Sequence, residues 1–564
     1  MPEQTATHVA TAPAPERLAD MFPVLTAVQL DEIRAFGTER EFPAGAMLWN
    51  VGDRNVDFHV VLDGTLQIVR RDAFGRETVL FDEGPGQFSG DIVALSGRAR
   101  RVAGRAGSAL SVIAISPERL KELIVTHARL GEIIMRSFVL RRVRLIADHA
   151  SDLLVVGSRY SGATQQLQDF LTRNAQPYTF LDLDSDDALP EMLGRLDFSC
   201  DDVPLLITSA GEPLRNPALR TVAERIGISE QLDECHVHDV AVVGAGPSGL
   251  ACAVYAASEG LDTVVFDSVA PGGQAGTSSK IENYLGFPTG ISGQALAGRA
   301  YVQAQKFGAR VEIPACLKEL ACGNPYHVLT LDNGDTVRAR SVVIAAGARY
   351  RKPPLENLER FEGVGVHYGA TFLEARLCRD EEVVIIGGGN SAGQAAVFLA
   401  ETAAQVRILV RGEGLAESMS QYLIRRIETT PNIELLPYTE VMALGGDREL
   451  ESVRWRDRLT GSETERPVRH LFVFIGATPN TEFLPEAVVT DAKGFVCTGP
   501  EIESSGNGHR WPLTRAPYLL ETSCPGVFAA GDVRATSTKR VASAVGEGSV
   551  AVQFIHAFLA SRGG

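Results

Sequence analysis

Two glycine-rich loops, each placed between an apolar strand and a predicted helix, constrain this chain more than any other feature. The first reads Gly-Ala-Gly-Pro-Ser-Gly over 244–249, and the second reads Gly-Gly-Gly-Asn-Ser-Ala over 387–392. The apolar segments His238–Val243 and Glu382–Ile386 run directly into them. In such a loop one glycine permits a tight turn, one lets the backbone approach a pyrophosphate, and a third small residue lets helix and strand pack closely. The sequence therefore predicts two dinucleotide sites.

The residue after the next strand differs between the two sites. Asp267 ends the strand Thr263–Asp267, where a carboxylate accepts hydrogen bonds from a ribose 2′-OH. Arg411 follows Gln405–Val410, where an arginine suits a 2′-phosphate, although a surface arginine is the alternative reading. We expect a flavin at the first site and a nicotinamide at the second, with NADPH favoured over NADH. The predicted contacts are Gly244, Gly246, Pro247, Ser248, Gly249 and Asp267 for the first site, and Gly387, Gly389, Asn390, Ser391, Ala392 and Arg411 for the second.

Further motifs in residues 237–564 resemble those of low-molecular-weight thioredoxin reductases. They are Gly272–Gln274, Glu282–Pro288, Ala345–Gly347, Gly476–Asn480 and Gly526–Asp532. The resemblance implies an FAD domain at 237–352 and 471–564, interrupted by an NAD(P)H domain at 353–470. The predicted fold is multidomain α/β with two Rossmann-like three-layer domains. The resemblance also implies a homodimer and a rotation between the two domains.

The same resemblance assigns further residues to FAD. Asp532 would bind the ribitol chain, and the turn at Lys539–Val541 would direct backbone N–H groups at the flavin O2, where negative charge grows on reduction. The assigned residues are Gly273, Gln274, Asn283, Ala346, Gly347, Gly531, Asp532, Arg540 and Val541.

The chain departs from that family at its redox centre. Thioredoxin reductases carry Cys-x-x-Cys just before the second nucleotide-binding strand, and here Gly369 and Phe372 occupy those positions. Without a thiolate, thiol–disulfide exchange is impossible at that site. We expect electrons to reach an unidentified acceptor, which is a protein such as ferredoxin, flavodoxin or thioredoxin, or a small molecule such as a quinone or oxygen. The alternatives are thioredoxin reduction through rearranged cysteines such as Cys378, and a redox or ligand sensor with little turnover.

The N-terminal region, residues 18–150, predicts a β-roll (jelly roll) followed by a helical stretch from Pro117 to about Asp148. It resembles the cyclic-nucleotide-binding domain of bacterial catabolite regulators through Phe88–Gly97. That resemblance implies a cyclic phosphate bound by an arginine and a ribose bound by a carboxylate. A degenerate domain serving in dimerisation or sensing is the alternative, because that family usually has glutamate at the position of Asp91 and a small residue at that of Arg101. The candidate ligand residues are Gly90, Asp91, Arg100 and Arg101.

Residues 151–236 predict a small α/β module that resembles glutaredoxin or thioredoxin. Ser158 and Ser161 stand where that family has its two cysteines, and Val203-Pro204 resembles its cis-proline site. A serine cannot cycle through a disulfide. We therefore expect this module to dock or recognise a partner.

Composition narrows the function classes. With 54 basic and 70 acidic side chains among 564 residues, the net charge of −16 argues against nucleic-acid binding as the main function. No signal peptide or membrane-spanning run is apparent, residues 1–17 predict a disordered leader, and we expect a cytoplasmic protein. The eight cysteines lack metal-ligand spacing, so no metal site is expected.

Overall fold

The computed structural model describes residues 21–71, 77–90, 93–96, 100, 102–147, 153–184, 202–208, 213–229, 232–233, 235–278, 280–416, 419–447, 449–504 and 511–562. The predicted leader at 1–17 lies outside these residues. The chain divides into two compact units, and each is described by itself. The first comprises 1–159, 167–230 and 305–308, and the second comprises 160–166, 231–304 and 309–564.

The first unit begins with two antiparallel sheets. Their strands are β1 (Thr38–Phe42), β2 (Met47–Trp49), β3 (Phe58–Asp63), β4 (Leu66–Arg71), β5 (Glu77–Glu83), β6 (Ala103–Ala106) and β7 (Leu110–Ile115). One sheet has the order β1-β7-β3 and the other has β2-β6-β4-β5. The rings of Phe58, Phe88 and Phe138 pack with centroids 5.4 to 6.4 Å apart in the core of this part. The predicted β-roll is confirmed.

The helices of this part are α1 (Ala27–Arg34), α2 (Val93–Ser96), α3 (Pro117–Thr126) and α4 (Ala128–Ala147). The prediction of one continuous helical stretch from Pro117 is wrong at His127, which has φ −113° and ψ 78° and separates α3 from α4. Apolar periodicity continues across this break, and periodicity alone does not register a single non-helical residue. Asp148 lies outside the described residues.

A four-stranded sheet follows. Its strands are β8 (Leu154–Gly157), β9 (Thr179–Asp182), β10 (Leu205–Ile207) and β11 (Leu214–Arg215), with helices α5 (Gly162–Arg173) and α6 (Leu219–Arg225). The order is β11-β10-β8-β9, with β8 parallel to β9 and antiparallel to β10. The strand β10 begins at Leu205, directly after Pro204, which has no N–H to donate. The Val203–Pro204 peptide is cis, as expected.

The second unit contains the remaining elements. Its helices are α7 (Pro247–Ser258), α8 (Gly293–Lys306), α9 (Leu358–Phe361), α10 (Phe372–Leu377), α11 (Asn390–Leu399), α12 (Gln421–Thr429), α13 (Glu501–Ser504) and α14 (Val541–Arg562), with a 3-10 turn at Gly273–Thr277. Its strands are β12 (Val237–Val243), β13 (Thr263–Phe266), β14 (Arg310–Glu312), β15 (Leu317–Ala321), β16 (His327–Leu331), β17 (Thr336–Ile344), β18 (Ala348–Tyr350), β19 (Val366–His367), β20 (Glu382–Ile386), β21 (Gln405–Leu409), β22 (Ile433–Leu436), β23 (Thr439–Gly445), β24 (Ser452–Asp457), β25 (Glu463–Arg466), β26 (His470–Val473), β27 (Ala477–Pro479) and β28 (Val527–Ala529).

Two sheets organise this unit. In the first, β16 pairs antiparallel with β17 and with β15, whereas the other pairings are parallel. The first sheet has the order β14-β13-β12-β17-β16-β15, and β28 joins it beside β17, parallel to it. The second sheet, β19-β26-β20-β21-β22, is parallel throughout. The short antiparallel pair β18–β27 connects the segments that enter and leave the second sheet. Each glycine loop follows a central strand of its sheet, and both Rossmann-type folds are confirmed. Among the described residues, no helix is long and apolar enough to cross a membrane.

Candidate cofactor sites

The first glycine loop lies between β12 and α7. Gly244 has φ +105°, and a Cβ atom there would lie 2.3 Å from the carbonyl oxygen of Ala345. A Cβ atom at Gly249 would lie 1.8 Å from the carbonyl oxygen of Gly244, so only glycine lets α7 lie this close to the strand. A Cβ atom at Gly246, by contrast, would meet no atom within 4 Å. Two glycines are thus required by contacts within the protein, while Gly246 faces open space of the kind that a pyrophosphate needs.

Pro247 and Ser248 open α7, at the end of the helix where backbone N–H groups lack intrahelical partners. Ser248 is 4% exposed, and its Oγ atom has no hydrogen-bond partner among the described residues. A buried hydroxyl left without a partner is costly, and a phosphate oxygen at the helix N-terminus would satisfy it. A Cβ atom at Gly531 would lie 2.9 Å from Ser248 Cβ, so the motif that contains Asp532 packs against the same turn. These residues fit a dinucleotide.

Asp267 stands immediately after β13. Its Oδ2 atom accepts a hydrogen bond from the Ala245 N–H at 2.8 Å, and its Oδ1 atom accepts from Val269 and Ala270 at 3.0 Å. These bonds hold the carboxylate beside the glycine loop, which is the position that the ribose contact requires.

Gly273 and Gln274 extend this site. A Cβ atom at Gly273 would lie 3.2 Å from Gly246 Cα, so the two glycines are in contact. Gln274 donates through Nε2 to the carbonyl oxygen of Ala348 in β18. Asn283 lies farther along the same segment and is exposed.

Ala346 and Gly347 follow β17, next to the glycine loop in the sheet. Gly347 has φ +65°. Asn480 donates through Nδ2 to the Ala346 carbonyl oxygen at 2.8 Å and through its backbone N–H to that of Gly347 at 3.1 Å. Asn480 was part of a recognised motif without an assigned role, and the structure shows that it joins the chain on either side of the second sheet.

Asp532 lies where β28 ends, close to the start of α14. Burial raises the pKa of Asp532, and the nearby ammonium of Lys539 opposes that rise. Lys539 donates through Nζ to the Asp532 carbonyl oxygen at 2.5 Å. Ser537 Oγ is buried and has no hydrogen-bond partner among the described residues, so this hydroxyl is available to a bound ligand. The sequence analysis did not single out Ser537. Val541 opens α14, where the first N–H groups of a helix lack intrahelical partners. The backbone N–H of Arg540, just before the helix, already donates to the Thr538 carbonyl oxygen at 2.7 Å.

The second glycine loop repeats the construction of the first. Gly387 has φ +133°, and a Cβ atom there would lie 2.2 Å from the carbonyl oxygen of Phe474. Gly389 caps α11 and, like Gly246, would meet no atom within 4 Å with an added Cβ. Ala392 is fully buried against the second sheet. The loop therefore has a closed protein side and an open side.

Two further residues of this loop have defined contacts. Asn390 accepts through Oδ1 from the Ser420 N–H at 2.7 Å, which ties the loop to the start of α12. Ser391 is exposed and hydrogen-bonds the hydroxyl of Tyr350. Burial raises the pKa of that tyrosine. Tyr350 thus connects β18 with the second glycine loop.

Arg411 is exposed and lies just beyond β21. The guanidinium of Arg458 donates through Nη1 to the Arg411 carbonyl oxygen at 3.1 Å. Arg456 and Arg458 also pair with Glu440, and together with Arg411 they lower the pKa of that carboxyl. Three arginines around one carboxylate leave an excess of positive charge at this site. Sequence reasoning missed Arg458, which follows β24 and is far from the glycine loop along the chain.

Gly369 and Phe372, which the sequence analysis aligned with the family's two cysteines, lie in the segment that leads into α10. A Cβ atom at Gly369 would lie 3.8 Å from Thr277 Oγ1, at the end of the 3-10 turn. Phe372 begins α10. Cys378, just after that helix, is fully buried, and burial followed by the charges of Glu374 and Glu381 raises its pKa. Its thiol is therefore neither accessible nor ionised at neutral pH.

The N-terminal ligand residues are described in part. Arg100 is buried and donates through Nη2 to the Val56 carbonyl oxygen at 3.0 Å. Gly90 has φ +104°, and its carbonyl oxygen accepts from Arg141 Nη1 at 2.9 Å. The other two candidates lie outside the described residues: Asp91 and Arg101.

Comparisons with known proteins agree with this arrangement. Residues 238–548, more than half of the chain, match the pyridine nucleotide-disulphide oxidoreductase family. Residues 39–127 match the cyclic nucleotide-binding domain family. The second match runs from the second residue of β1 through β7 and includes the helix α3 that follows them.

Several relatives are named thioredoxin reductase. Thioredoxin reductase from Mycoplasmopsis pulmonis is 33% identical over 316 residues, which cover 56% of this chain and 95% of that protein. The enzyme of the same name from Listeria innocua is 31% identical over 318 residues, covering 56% and 92%. The crystal structure of Lactococcus lactis thioredoxin reductase in the FR conformation has a TM-score of 0.51 at 27% identity, covering 57% of this chain and 99% of that one. Thioredoxin reductases use FAD and NADPH. The chain belongs to the pyridine nucleotide-disulphide oxidoreductase family, as a thioredoxin-reductase-like, FAD-dependent NAD(P)H oxidoreductase.

Proposed function

We propose that this enzyme passes electrons from NAD(P)H through FAD to an acceptor without a redox-active dithiol of its own. One observation carries the proposal: the sequence contains no Cys-x-x-Cys, and glycine and phenylalanine occupy the positions of the family's cysteines at 369 and 372. The would-be Cβ of Gly369 is near Thr277, which belongs to the segment assigned to FAD. An acceptor that approaches here would meet the flavin site directly.

The residues of the two loops have distinct tasks in this proposal. When bound, the cofactors supply hydride transfer from the nicotinamide and electron transfer from the flavin. The first loop, Ser248 and Asp267 hold the pyrophosphate and ribose of FAD. Asp532 and the first turn of α14 orient its other half. The second loop and the arginines at 411 and 458 hold NADPH.

Cys378 does not support the alternative of a rearranged dithiol. It is fully buried, and its raised pKa keeps the thiol protonated, whereas exchange requires an accessible thiolate.

Two other cysteines, Cys322 and Cys524, lie next to each other in the second unit. The thiols of Cys322 and Cys524 hydrogen-bond one another, and this bond together with burial raises the pKa of Cys322. Cys524 precedes β28 whereas Asp532 follows it, so this pair lies at the end of the strand away from the assigned FAD site.

Anaerobic stopped-flow reduction tests this proposal. Mixing the FAD-loaded protein with NADPH should reduce the flavin, seen as loss of its absorbance, at least as fast as the enzyme turns over in steady state. NADH should reduce the flavin more slowly. Reduced enzyme is then mixed with oxidised thioredoxin, ferredoxin, flavodoxin, a quinone and oxygen. We expect at least one acceptor other than thioredoxin to reoxidise it. Slow reduction by both nucleotides would favour the sensor, and rapid reoxidation by thioredoxin alone would favour a rearranged dithiol.

For the N-terminal region we propose a ligand-sensing role. The family match at 39–127 supports a cyclic nucleotide as ligand, with the loop at Gly90 and Arg100 nearby. Arg141, on α4, donates a hydrogen bond to the Gly90 carbonyl oxygen and pairs with the buried Glu83 at 3.0 Å. A ligand that moves the Gly90 loop would therefore also affect α4. Binding is tested by calorimetry with cyclic AMP and cyclic GMP.

We further propose that residues 151–236 are a thioredoxin-like module without cysteines that docks a partner. Support comes from the strand order β11-β10-β8-β9, with one parallel and two antiparallel pairings, and from the cis Val203–Pro204 peptide. Ser158 donates through Oγ to Asp184 at 2.7 Å, so a hydroxyl occupies the first cysteine position. We also propose the domain limits given in the sequence analysis. We propose in addition that the protein is a homodimer, and light scattering tests this by measuring its mass in solution.

A further inference from the structure

We propose that His236, His238 and Asp262 form a binding site for a divalent transition-metal ion of the Zn²⁺ class. The site lies at the N-terminal ends of the neighbouring strands β12 and β13 in the first sheet of the second unit. The proposal is independent of the electron acceptor, because none of these residues contributes to the cofactor sites described above.

The geometry brings three ligand atoms to one point. His236 Nε2 lies 2.6 Å and His238 Nδ1 lies 2.8 Å from the same atom, Asp262 Oδ2. All three ligand atoms lie within 4.8 Å of one another. Alternate residues of an extended chain face the same side, and this is why both imidazoles reach one carboxylate.

The donor set suits this class of ion. Two imidazole nitrogens and one carboxylate oxygen are the ligands of many zinc sites that keep a further position open to water. Zinc bonds of about 2.0–2.2 Å place neighbouring ligand atoms of a tetrahedron about 3.3 Å apart. The two N–O separations at Asp262 therefore need to open by only about 0.5–0.7 Å to admit the ion.

The surroundings hold the backbone of Asp262 and leave its carboxylate open to solvent. Asp262 donates its backbone N–H to Asp239 Oδ2 at 3.1 Å, and Arg340 donates to Asp239 Oδ1, also at 3.1 Å. His238 is buried, whereas the side chains of His236 and Asp262 are 51% and 47% exposed. An ion can thus enter from the exposed side and keep a water ligand there.

The position in the sheet indicates what the ion would do. β12 runs from Val237 to Val243, so Gly244 lies about 20 Å from the proposed ion. A metal here would fasten the beginnings of β12 and β13 together, and we expect it to stabilise the fold without entering the reaction. The sequence analysis expected no metal site because it considered cysteine spacing alone, whereas this proposal uses residues at the beginnings of two neighbouring strands.

Calorimetric titration of the chelator-treated, FAD-loaded full chain with Zn²⁺ tests the site. Wild type should bind about one equivalent, and His236→Ala and Asp262→Asn should each weaken that site by at least about tenfold. His556→Ala is the matched control. His556 Nε2 also lies 2.9 Å from a carboxylate, that of Glu259, but the described contacts show no second imidazole at this exposed pair. It should bind Zn²⁺ as wild type does.

Thermal unfolding provides the second readout. Because an ion that binds only the folded state stabilises it, Zn²⁺ should raise the Tm of wild type and of His556→Ala, but not that of His236→Ala. Equal flavin content and an equal Tm without metal show that each variant is folded. Zn²⁺ affinity that is the same in wild type and His236→Ala, or no binding by wild type, would overturn the proposal.

Discussion

The two glycine loops of this enzyme share one backbone design and differ in the charge that faces it. Gly244 donates its N–H to Phe266 at 2.7 Å, and Gly387 donates to Leu409 at 3.1 Å, in each case the end of the neighbouring strand. In both loops a Cβ atom at the first glycine would overlap a carbonyl oxygen of another strand's end, that of Ala345 for Gly244 and that of Phe474 for Gly387. The backbone therefore sets where a pyrophosphate binds, and it is the same in both sites.

The residue beyond the neighbouring strand distinguishes them. At the first site, the Asp267 carboxylate is held by three backbone N–H groups and carries the negative charge that suits a ribose hydroxyl. At the second site, Arg411 is joined by Arg458 and Arg456. The proposed flavin site and the proposed NADPH site thus differ by a local change of charge on a common backbone.

The largest expected effect comes from adding a methyl group where α7 packs against the first glycine loop. In Gly249→Ala the added methyl would overlap the Gly244 carbonyl oxygen, so α7 must move away from β12. We expect FAD affinity to fall by about 10–100-fold, measured as flavin absorbance per polypeptide after dialysis. Gly298→Ala is the control, since a Cβ there meets no atom within 4 Å. Full flavin retention by Gly249→Ala would refute the close-packing argument.

A smaller effect is expected from removing positive charge at the second loop. Arg458→Ala should raise the KM for NADPH by about tenfold, because a charge-assisted contact to the 2′-phosphate is lost, and leave that for NADH unchanged. Steady-state kinetics with both nucleotides measures this. Arg426→Ala serves as the control, since Arg426 pairs with Glu282 at 2.6 Å and should not alter the preference. Equal losses with NADPH and NADH would contradict the assignment.

The smallest effect is expected at Cys378. Cys378→Ala should keep kcat within about twofold of wild type with every acceptor that the enzyme reduces, because this buried thiol does not take part in the reaction. A Cys322→Ser, Cys524→Ser double variant extends the test to the other cysteine pair. Loss of turnover with flavin still bound, in either variant, would show that a thiol relay operates.

The parts of the site that the sequence predicted are those that depend on neighbours along the chain. The turn at Gly244, the approach of α7 to β12 and the placement of Asp267 all follow from spacing within one strand–loop–helix–strand unit. Arg458 could not be predicted in this way, because the turn after β24 brings it to Arg411 from 47 residues away. The buried, unpartnered hydroxyl of Ser537 likewise becomes visible only in three dimensions.

Elsewhere, local patterns gave element types better than their ends. The β-roll was expected as an architecture, whereas the break between α3 and α4 depends on the single residue His127. His236, His238 and Asp262 illustrate the same limit for function. The two histidines are two residues apart in sequence, whereas Asp262 directly precedes the next strand, and the parallel pairing of β12 with β13 brings the three together.

Anaerobic reductive titration tests the central claim most directly. A flavin accepts one hydride equivalent, and a redox-active disulfide in exchange with it accepts a second. The FAD-loaded enzyme should therefore consume about one equivalent of NADPH per flavin, with the number of titratable thiols unchanged afterwards. Consumption of about two equivalents, with two new thiols, would show that a dithiol stores electrons and would contradict the account.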